Sequence, residues 1–397
     1  MQESAAKRLI DAAMRQNGDR EPNPVPRLRH NALNPATRPS TMLSPPVRQI
    51  RTILVAALAL AGAGCATIPP GPSAPVAQRP EGTSVLRGIV LGHVLEDQIL
   101  AMDPDHVRAA DVATLAKGPV PQIMLLHGGV VGVYLVMESF GEFLVGMGYP
   151  EAKIRDPSND EWSYSPYDFS DRLAGIAVWH YEHDAVRPML IGHSQGGLYS
   201  VRILKELAGQ RSERVYVWNP RTGVNENRTT ITDPLTGKER PVIGTSMSYA
   251  SAIGAGGWAL ALPNQWENLA TLRKIPDTVD EFTGYFIDVD LIALTFPGNP
   301  LDSRYEATGK ATVRNVILPA SYNHVMVPAT RALAKDAQVR DWINAFVPGK
   351  DVDTSKLSAD AQEHVMWAAD VWYSIKKRWC IEAQNAIRAL RTVLGRP

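Results

Sequence analysis

The pentapeptide Gly192-His193-Ser194-Gln195-Gly196 constrains the fold more than any other part of the sequence. The apolar run Pro188–Ile191 precedes it, and a helical pattern at 198–204 follows it. A strand, a Gly-x-Ser-x-Gly turn and a helix in this order predict a nucleophile elbow. Glycines on both sides of the serine permit its strained turn and the close approach of strand and helix. The free N–H groups at the start of the helix would face a developing oxyanion.

Other apolar segments alternate with helical patterns along the chain. The apolar run at 122–126 is typical of a strand that is buried on both faces of a parallel sheet, and residues 312–318 are predicted to form a further strand. We therefore predict an α/β fold with a doubly wound, mostly parallel sheet. The other predicted elements are strands at 85–91 and 214–218, a short strand position at Ile154, helices at 133–147 and 171–183, a closing helix pair at 328–346 and a C-terminal helix at 358–394.

Residues 219–282 interrupt this alternation. They hold a polar, turn-rich piece followed by a piece rich in glycine and tryptophan. We interpret the region as an insertion that covers the active site as a lid. The predicted main domain spans 85–347 and includes this insertion, and a helical extension at 348–397 follows it. A chain of 397 residues is long enough for one such domain.

Three predicted segments precede the main domain: 1–41, 42–65 and 66–84. The first is polar and rich in proline, so we predict that it is disordered or a wrongly assigned extension. Translation could start at Met1 or at Met42, and the sequence leaves both open. The third segment is rich in proline, alanine and glycine, a composition typical of a linker.

Segment 42–65 has the pattern of a secretory signal. Two arginines precede the apolar run 53–61, which is too short for a transmembrane helix of ~20 residues. Cys65 follows small residues and resembles the acceptor of a bacterial lipoprotein box, although Gly62 stands where leucine is usual. We expect an exported protein of the cell envelope, attached to the membrane through a lipid on Cys65. A periplasmic or secreted protein is the alternative.

Composition narrows the possible partners. Lys+Arg and Asp+Glu balance at 41 each, which gives no reason to expect a nucleic-acid partner. The two cysteines, Cys65 and Cys380, cannot form a disulfide framework, and we expect Cys380 to be a buried, unreactive thiol. We interpret the segment 180–184, His-Tyr-Glu-His-Asp, as a surface cluster and not as a metal site. No metal or organic cofactor is expected.

A serine hydroxyl is a poor nucleophile and needs a nearby histidine as base. Of the nine histidines only His324 and His364 follow Ser194, the order found in elbow enzymes. His324 comes just after the last predicted strand, where such a base belongs, whereas His364 falls within a predicted helix. We therefore choose His324 as the base.

The acid that orients this histidine is less defined by the sequence. Asp288, Asp290 and Asp302 all lie in the expected region, between the preceding strand and His324. We favour Asp290, because it follows the apolar residues 285–287 and begins an Asp-x-apolar-apolar turn. Asp302 is the main alternative.

The oxyanion formed during acyl transfer needs two backbone donors. One is expected to be the N–H of Gln195, directly after the serine. The second should come from the loop after strand 122–126, where His127-Gly128-Gly129 stands. We choose Gly129 for this donor, with Val130 as the alternative.

Three groups of residues resemble the α/β-hydrolase fold superfamily, and within it bacterial esterases and lipases. They are His127-Gly128-Gly129, Gly192-His193-Ser194-Gln195-Gly196-Gly197 and Asn323-His324. The resemblance covers roughly residues 85–347 and implies a Ser194 nucleophile, a His324 base, an aspartate that orients it, and oxyanion donors at Gly129 and Gln195. Together with the signal pattern at 42–65, it predicts an exported serine hydrolase that cleaves a small-molecule or lipid ester through an acyl-enzyme. A lipase, thioesterase or amidase activity, or a non-catalytic binding protein with the same fold, stays open.

Overall fold

A parallel sheet of five strands forms the centre of the structure. The structure is a computed structural model, and it describes residues 84–129, 131–257, 271–295, 303–350 and 353–396. The strands in spatial order are β1 (Ile123–Leu126), β2 (Met189–His193), β7 (Met247–Ile253), β9 (Val279–Ile287) and β11 (Thr312–Leu318). Every neighbouring pair runs parallel. With helices on its faces this sheet confirms the predicted α/β class.

The described helices are α1 (Ser84–Gly88), α2 (His93–Leu100), α3 (Ala109–Leu115), α4 (Val131–Gly146), α5 (Ser170–Asp184), α6 (Gln195–Leu207), α7 (Ala337–Ala345), α8 (Ala359–Gln362) and α9 (Val365–Leu394). Single turns of 3₁₀-helix lie at Pro104–His106 and Glu151–Lys153. The short strands outside the sheet are β3 (Trp218–Asn219), β4 (Val224–Asn225), β5 (Thr230–Thr232), β6 (Glu239–Pro241), β8 (Lys274–Ile275) and β10 (Glu306–Ala307). Contacts divide the chain into two units, and the site described below lies within the unit formed by 72–129 and 133–397.

Two hydrophobic cores lie on opposite faces of the sheet, because successive side chains of a strand point to opposite faces. Leu125 of β1 joins the core that contains the buried residues of α4 and α9. Leu126, the next residue, joins the core that contains those of α5 and α6. Both faces are therefore covered, which explains why β1 is apolar without alternation.

Two of the predicted strands are wrong. Residues 85–91 begin with the helix α1, whose Leu86 packs against Ala185 and Leu390. Of the predicted strand at 214–218, only Trp218 belongs to a strand, the short antiparallel pair β3–β4. Val215 and Val217 are buried, but the backbone of Val217 bonds to Glu226 and Arg228 and not to the sheet. A short apolar run does not specify its partner, and here the partner is a local hairpin.

The interpretation of 219–282 as a single insertion is also wrong, because part of this range belongs to the central sheet. This range contains all of β7, between β2 and β9 in the sheet, and the beginning of β9. Small residues such as Ala252 make β7 weakly apolar, and they are needed because a Cβ on Gly197 of α6 would lie 3.2 Å from Ala252 Cβ. Residues 258–270 of the predicted insertion lie outside the described residues.

Smaller differences concern the ends of the chain. The predicted closing helix pair at 328–346 is one helix, α7, preceded by turns. Ile154 lies directly after a 3₁₀ turn and is not in a strand. The C-terminal helix is confirmed as α8 and α9, and α9 buries Trp367, Trp372 and Trp379 completely. The predicted segments 1–41 and 42–65, with Cys65, and residues 66–83 of the predicted linker 66–84 fall outside the described residues. Among the residues that are described, no helix is long and apolar enough to cross a membrane.

An ionic network joins α9 to the sheet. The Arg187 guanidinium lies 2.5 Å from a Glu382 carboxylate oxygen and 2.7 Å from one of Asp280. The Arg187 backbone N–H also donates to Glu382, whose side chain is almost completely buried. A buried carboxylate without its cation is strongly unfavourable. Arg187 therefore secures the packing of α9 against the sheet.

We expect Arg187→Met to lower the free energy of unfolding by about 3–5 kcal/mol, because it leaves the buried Glu382 carboxylate without a cation. The measurement is urea denaturation followed by circular dichroism. Lys274→Met is the matched control, since its ion pair with Glu306 is exposed and should contribute less than about 1 kcal/mol. Equal losses in the two variants would contradict the assigned role of Arg187.

Candidate active site

Ser194 occupies a strained turn between β2 and α6. Its φ of 54° and ψ of −118° are rare for a residue with a side chain. A Cβ on Gly192 would collide with the carbonyl oxygen of Gly196, and one on Gly196 would collide with that of Leu126. The Ser194 N–H donates to the Ile253 carbonyl of β7 at 2.8 Å, which ties the turn to the sheet. The two flanking glycines are thus required by close backbone contacts on both sides.

The structure brings Ser194, His324 and Asp290 together in one chain of hydrogen bonds. Ser194 Oγ lies 3.0 Å from His324 Nε2, and His324 Nδ1 lies 2.6 Å from Asp290 Oδ2. The three residues follow the carboxyl ends of β2, β11 and β9, which meet at one edge of the parallel sheet. His324 and Asp290 are both buried, so water competes little for these bonds.

Asp290 is held as a carboxylate by its own turn. Its Oδ1 accepts hydrogen bonds from the backbone N–H groups of Ile292 and Ala293, both at 2.9 Å. Burial alone would raise the pKa of Asp290, but the hydrogen bonds from His324 and these two amides outweigh burial and lower the pKa below its ordinary value. The alternative Asp288 is exposed to solvent, and Asp302 lies outside the described residues.

The two residues predicted to supply the oxyanion donors contact each other close to Ser194. A Cβ on Gly128 would lie 3.1 Å from Ser194 Cβ, so the loop after β1 abuts the elbow. Gly129 follows, and the Gln195 side chain packs directly on it. The Tyr167 hydroxyl donates to the Gly129 carbonyl oxygen, so that oxygen is occupied. The alternative donor, Val130, is outside the described residues.

Two further residues contact His324 and were not predicted from the sequence. Gly254 directly follows β7 at φ +58°, and a Cβ there would lie 2.7 Å from His324 Cε1. His193 is fully buried, and its Nε2 lies 2.7 Å from the His324 carbonyl oxygen. Burial, followed by the neighbouring His324, lowers the pKa of His193 to about 3. Both contacts join residues far apart in the chain, so no local pattern indicates them.

The remaining titratable candidates lie elsewhere. Within the segment 180–184, His180 is buried and not on the surface as predicted. Its Nδ1 lies 3.6 Å from a carboxylate oxygen of Asp184. Cys380 is buried, and burial raises the pKa of its thiol to about 12. No group of three or more histidine, cysteine, aspartate or glutamate side chains suited to a metal ion occurs in the described part of the chain.

Comparison with solved structures finds a weak structural likeness. The crystal structure of Aspergillus fumigatus lipase B matches with a TM-score of 0.33 and 15% sequence identity, over 85% of this chain and 78% of that chain. No family model and no curated protein matches significantly. The fold is α/β. The chemistry of the site rests on its own geometry.

Proposed function

We propose that the protein is a serine hydrolase that cleaves a carboxylic ester through an acyl-enzyme on Ser194. The observation that supports this most directly is the hydrogen-bonded chain from Ser194 Oγ through the His324 ring to Asp290, placed on a strained turn at the start of a helix. A serine oriented in this way by a histidine and a buried carboxylate is the arrangement that activates a hydroxyl group.

The same geometry supports a two-step reaction. Ser194 Oγ attacks the ester carbonyl carbon while His324 Nε2 takes the hydroxyl proton, and Asp290 stabilises the imidazolium. The backbone amides of Gly129 and Gln195 stabilise the oxyanion. His324 then gives the proton to the leaving alkoxide. Water attacks the acyl group with His324 again as base, which releases the acid and restores Ser194. These groups complete the reaction, so we expect no cofactor.

The surface around the site favours an apolar ester. Among the described residues, ten large apolar side chains are exposed, and four of them lie within two residues of Asp290 or His324. These four are Val289, Leu291, Ile292 and Met326, and a fifth, Tyr167, bonds to Gly129. An apolar substrate group that covers such side chains removes apolar surface from water, and this burial favours its binding. A thioester or an amide would use the same catalytic groups, and a series of p-nitrophenyl esters of rising chain length, compared with p-nitroanilides, distinguishes these substrates.

Labelling with a fluorophosphonate tests the proposal. The probe phosphonylates only an activated serine, and we expect one adduct, located by peptide mass spectrometry at Ser194. Ser194→Ala, folded by circular dichroism, should remain unlabelled. A folded wild-type protein that stays unlabelled would instead favour a non-catalytic binding protein with the same fold.

We further propose that the protein is exported and anchored through Cys65. The support is the arginine-led apolar run before Cys65 and the proline-rich segment after it. Cells given labelled palmitate should incorporate it into the wild type and not into Cys65→Ser. Label in both variants, or in neither, would contradict the anchor.

Gly254→Ala is expected to lower kcat by about 10²-fold, because a methyl group 2.7 Å from His324 Cε1 would displace the ring from Ser194. Gly223→Ala is the matched control, since Gly223 also has a positive φ of 67° but nothing within 4 Å of a Cβ. Both variants should lose about 1 kcal/mol of stability from backbone strain. Steady-state kinetics should separate them, and equal kcat values would show that the close contact with His324 is unimportant.

A further inference from the structure

We propose that His193 is a positioning residue that holds the backbone of His324 in place over Ser194. The inference rests on the proposed hydrolase function and goes beyond it, because His193 lies outside the triad and the oxyanion donors. It assigns a function to the variable second residue of the Gly-x-Ser-x-Gly turn.

The supporting contact is a single buried hydrogen bond across the site. His193 Nε2 lies 2.7 Å from the His324 carbonyl oxygen, and the two ring centroids are 5.4 Å apart. His193 is the last residue of β2 and directly precedes Ser194, whereas His324 lies in the turn after β11. The bond therefore joins the backbone that carries the serine to the backbone that carries the base.

The direction of this hydrogen bond defines the tautomer of the His193 ring. A carbonyl oxygen only accepts, so Nε2 carries the proton and Nδ1 has only a lone pair. Burial and the neighbouring His324 keep the ring neutral by lowering its pKa to about 3, so this donor persists at working pH. Nδ1 is buried and has no hydrogen-bond partner. A residue needed only for packing would avoid this unpaired nitrogen, since an apolar side chain fills such a space better.

The turn around His324 has few other links to the elbow. Asn323 accepts hydrogen bonds from the backbone of Val325, Met326 and Val327, so the turn is bonded within itself. The His324 ring bonds to Asp290 at Nδ1 and to Ser194 at Nε2, but neither of these bonds involves the His324 main chain. The His193 bond fixes the main chain from which the ring projects. Small displacements matter, because a shift of ~1 Å costs about 10²-fold in rate.

Two variants of similar size separate the hydrogen bond from the packing. We expect His193→Leu to lower kcat by about 10²-fold with KM within about twofold of wild type. His193→Gln should recover at least about tenfold of this loss, since its amide places a donor near the position of Nε2. The downfield proton resonance of the His324–Asp290 bond should broaden in His193→Leu and stay sharp in His193→Gln. If leucine prevents folding, His193→Asn replaces it, because its shorter amide does not reach the His324 carbonyl.

His180→Leu is the matched control, because His180 is also a buried histidine with an unpaired Nε2 but lies on α5. Its kcat should remain within about twofold of wild type. Wild-type kinetics and proton resonance in His193→Leu would overturn the proposal, as would equal losses in the donor and non-donor variants. A wild-type protein that fluorophosphonate does not label would instead reject the hydrolase function itself, so the two failures are distinguishable.

Discussion

Replacing Ser194 by alanine is expected to lower kcat for ester hydrolysis by at least ~10⁴-fold, because the variant removes the oxygen that forms the acyl-enzyme. Ser194 Oγ is 3.0 Å from His324 Nε2, and alanine leaves that nitrogen without a hydroxyl to activate. Any remaining rate would come from water attacking a substrate held by the oxyanion donors. Steady-state kinetics with a p-nitrophenyl ester measure the loss.

The double variant Ser194→Ala/His324→Ala gives the stricter form of this prediction. Because the two residues act as one unit, we expect the kcat of the double variant to lie within about threefold of the kcat of Ser194→Ala. Ser200→Ala is the control, since Ser200 is a buried serine of α6 whose hydroxyl bonds to the Gly196 carbonyl. A double-variant loss equal to the product of the single losses would mean that serine and histidine act independently.

The elbow is the part of the site that the sequence specifies best. Each of its glycines is there for a steric reason that acts over a few residues, at the contacts with Gly196 O and Leu126 O. His324 could be predicted from the sequence for a different reason. Chain order left two candidates, and the end of a strand at the reactive edge of a parallel sheet favoured His324.

Other parts of the fold were not predictable because their determinants are long-range. β7 looks like loop sequence, since its small residues serve the close approach of α6 and not the burial of large apolar groups. The segment 214–218 has the composition of a buried strand but bonds to a local hairpin. His193 and Gly254 contact a residue distant in the chain, and the sequence around each gives no sign of this contact. Local pattern thus predicts the elements better than their partners.

Asp290→Asn is expected to lower kcat by about 10⁴-fold with little change in KM. Asp290 Oδ1 accepts from the N–H groups of Ile292 and Ala293, and Oδ2 faces His324 Nδ1. An asparagine must keep its oxygen toward the two backbone donors, so its NH₂ group faces the histidine. The imidazole then accepts at Nδ1 and carries its proton on Nε2. In this tautomer His324 cannot take the serine proton, although the geometry of the site is unchanged.

Asp288→Asn separates this mechanism from a general effect of charge near the site. Asp288 is two residues from Asp290 and loses the same charge, but it is exposed, and we expect its kcat to stay within about twofold of wild type. A loss in Asp290→Asn of less than about tenfold would mean that another carboxylate orients His324. Because the tautomer argument depends on the two backbone amides, Asp290→Ala should be less impaired than Asp290→Asn. Alanine leaves Nδ1 free to bind water, whereas asparagine enforces the wrong proton position.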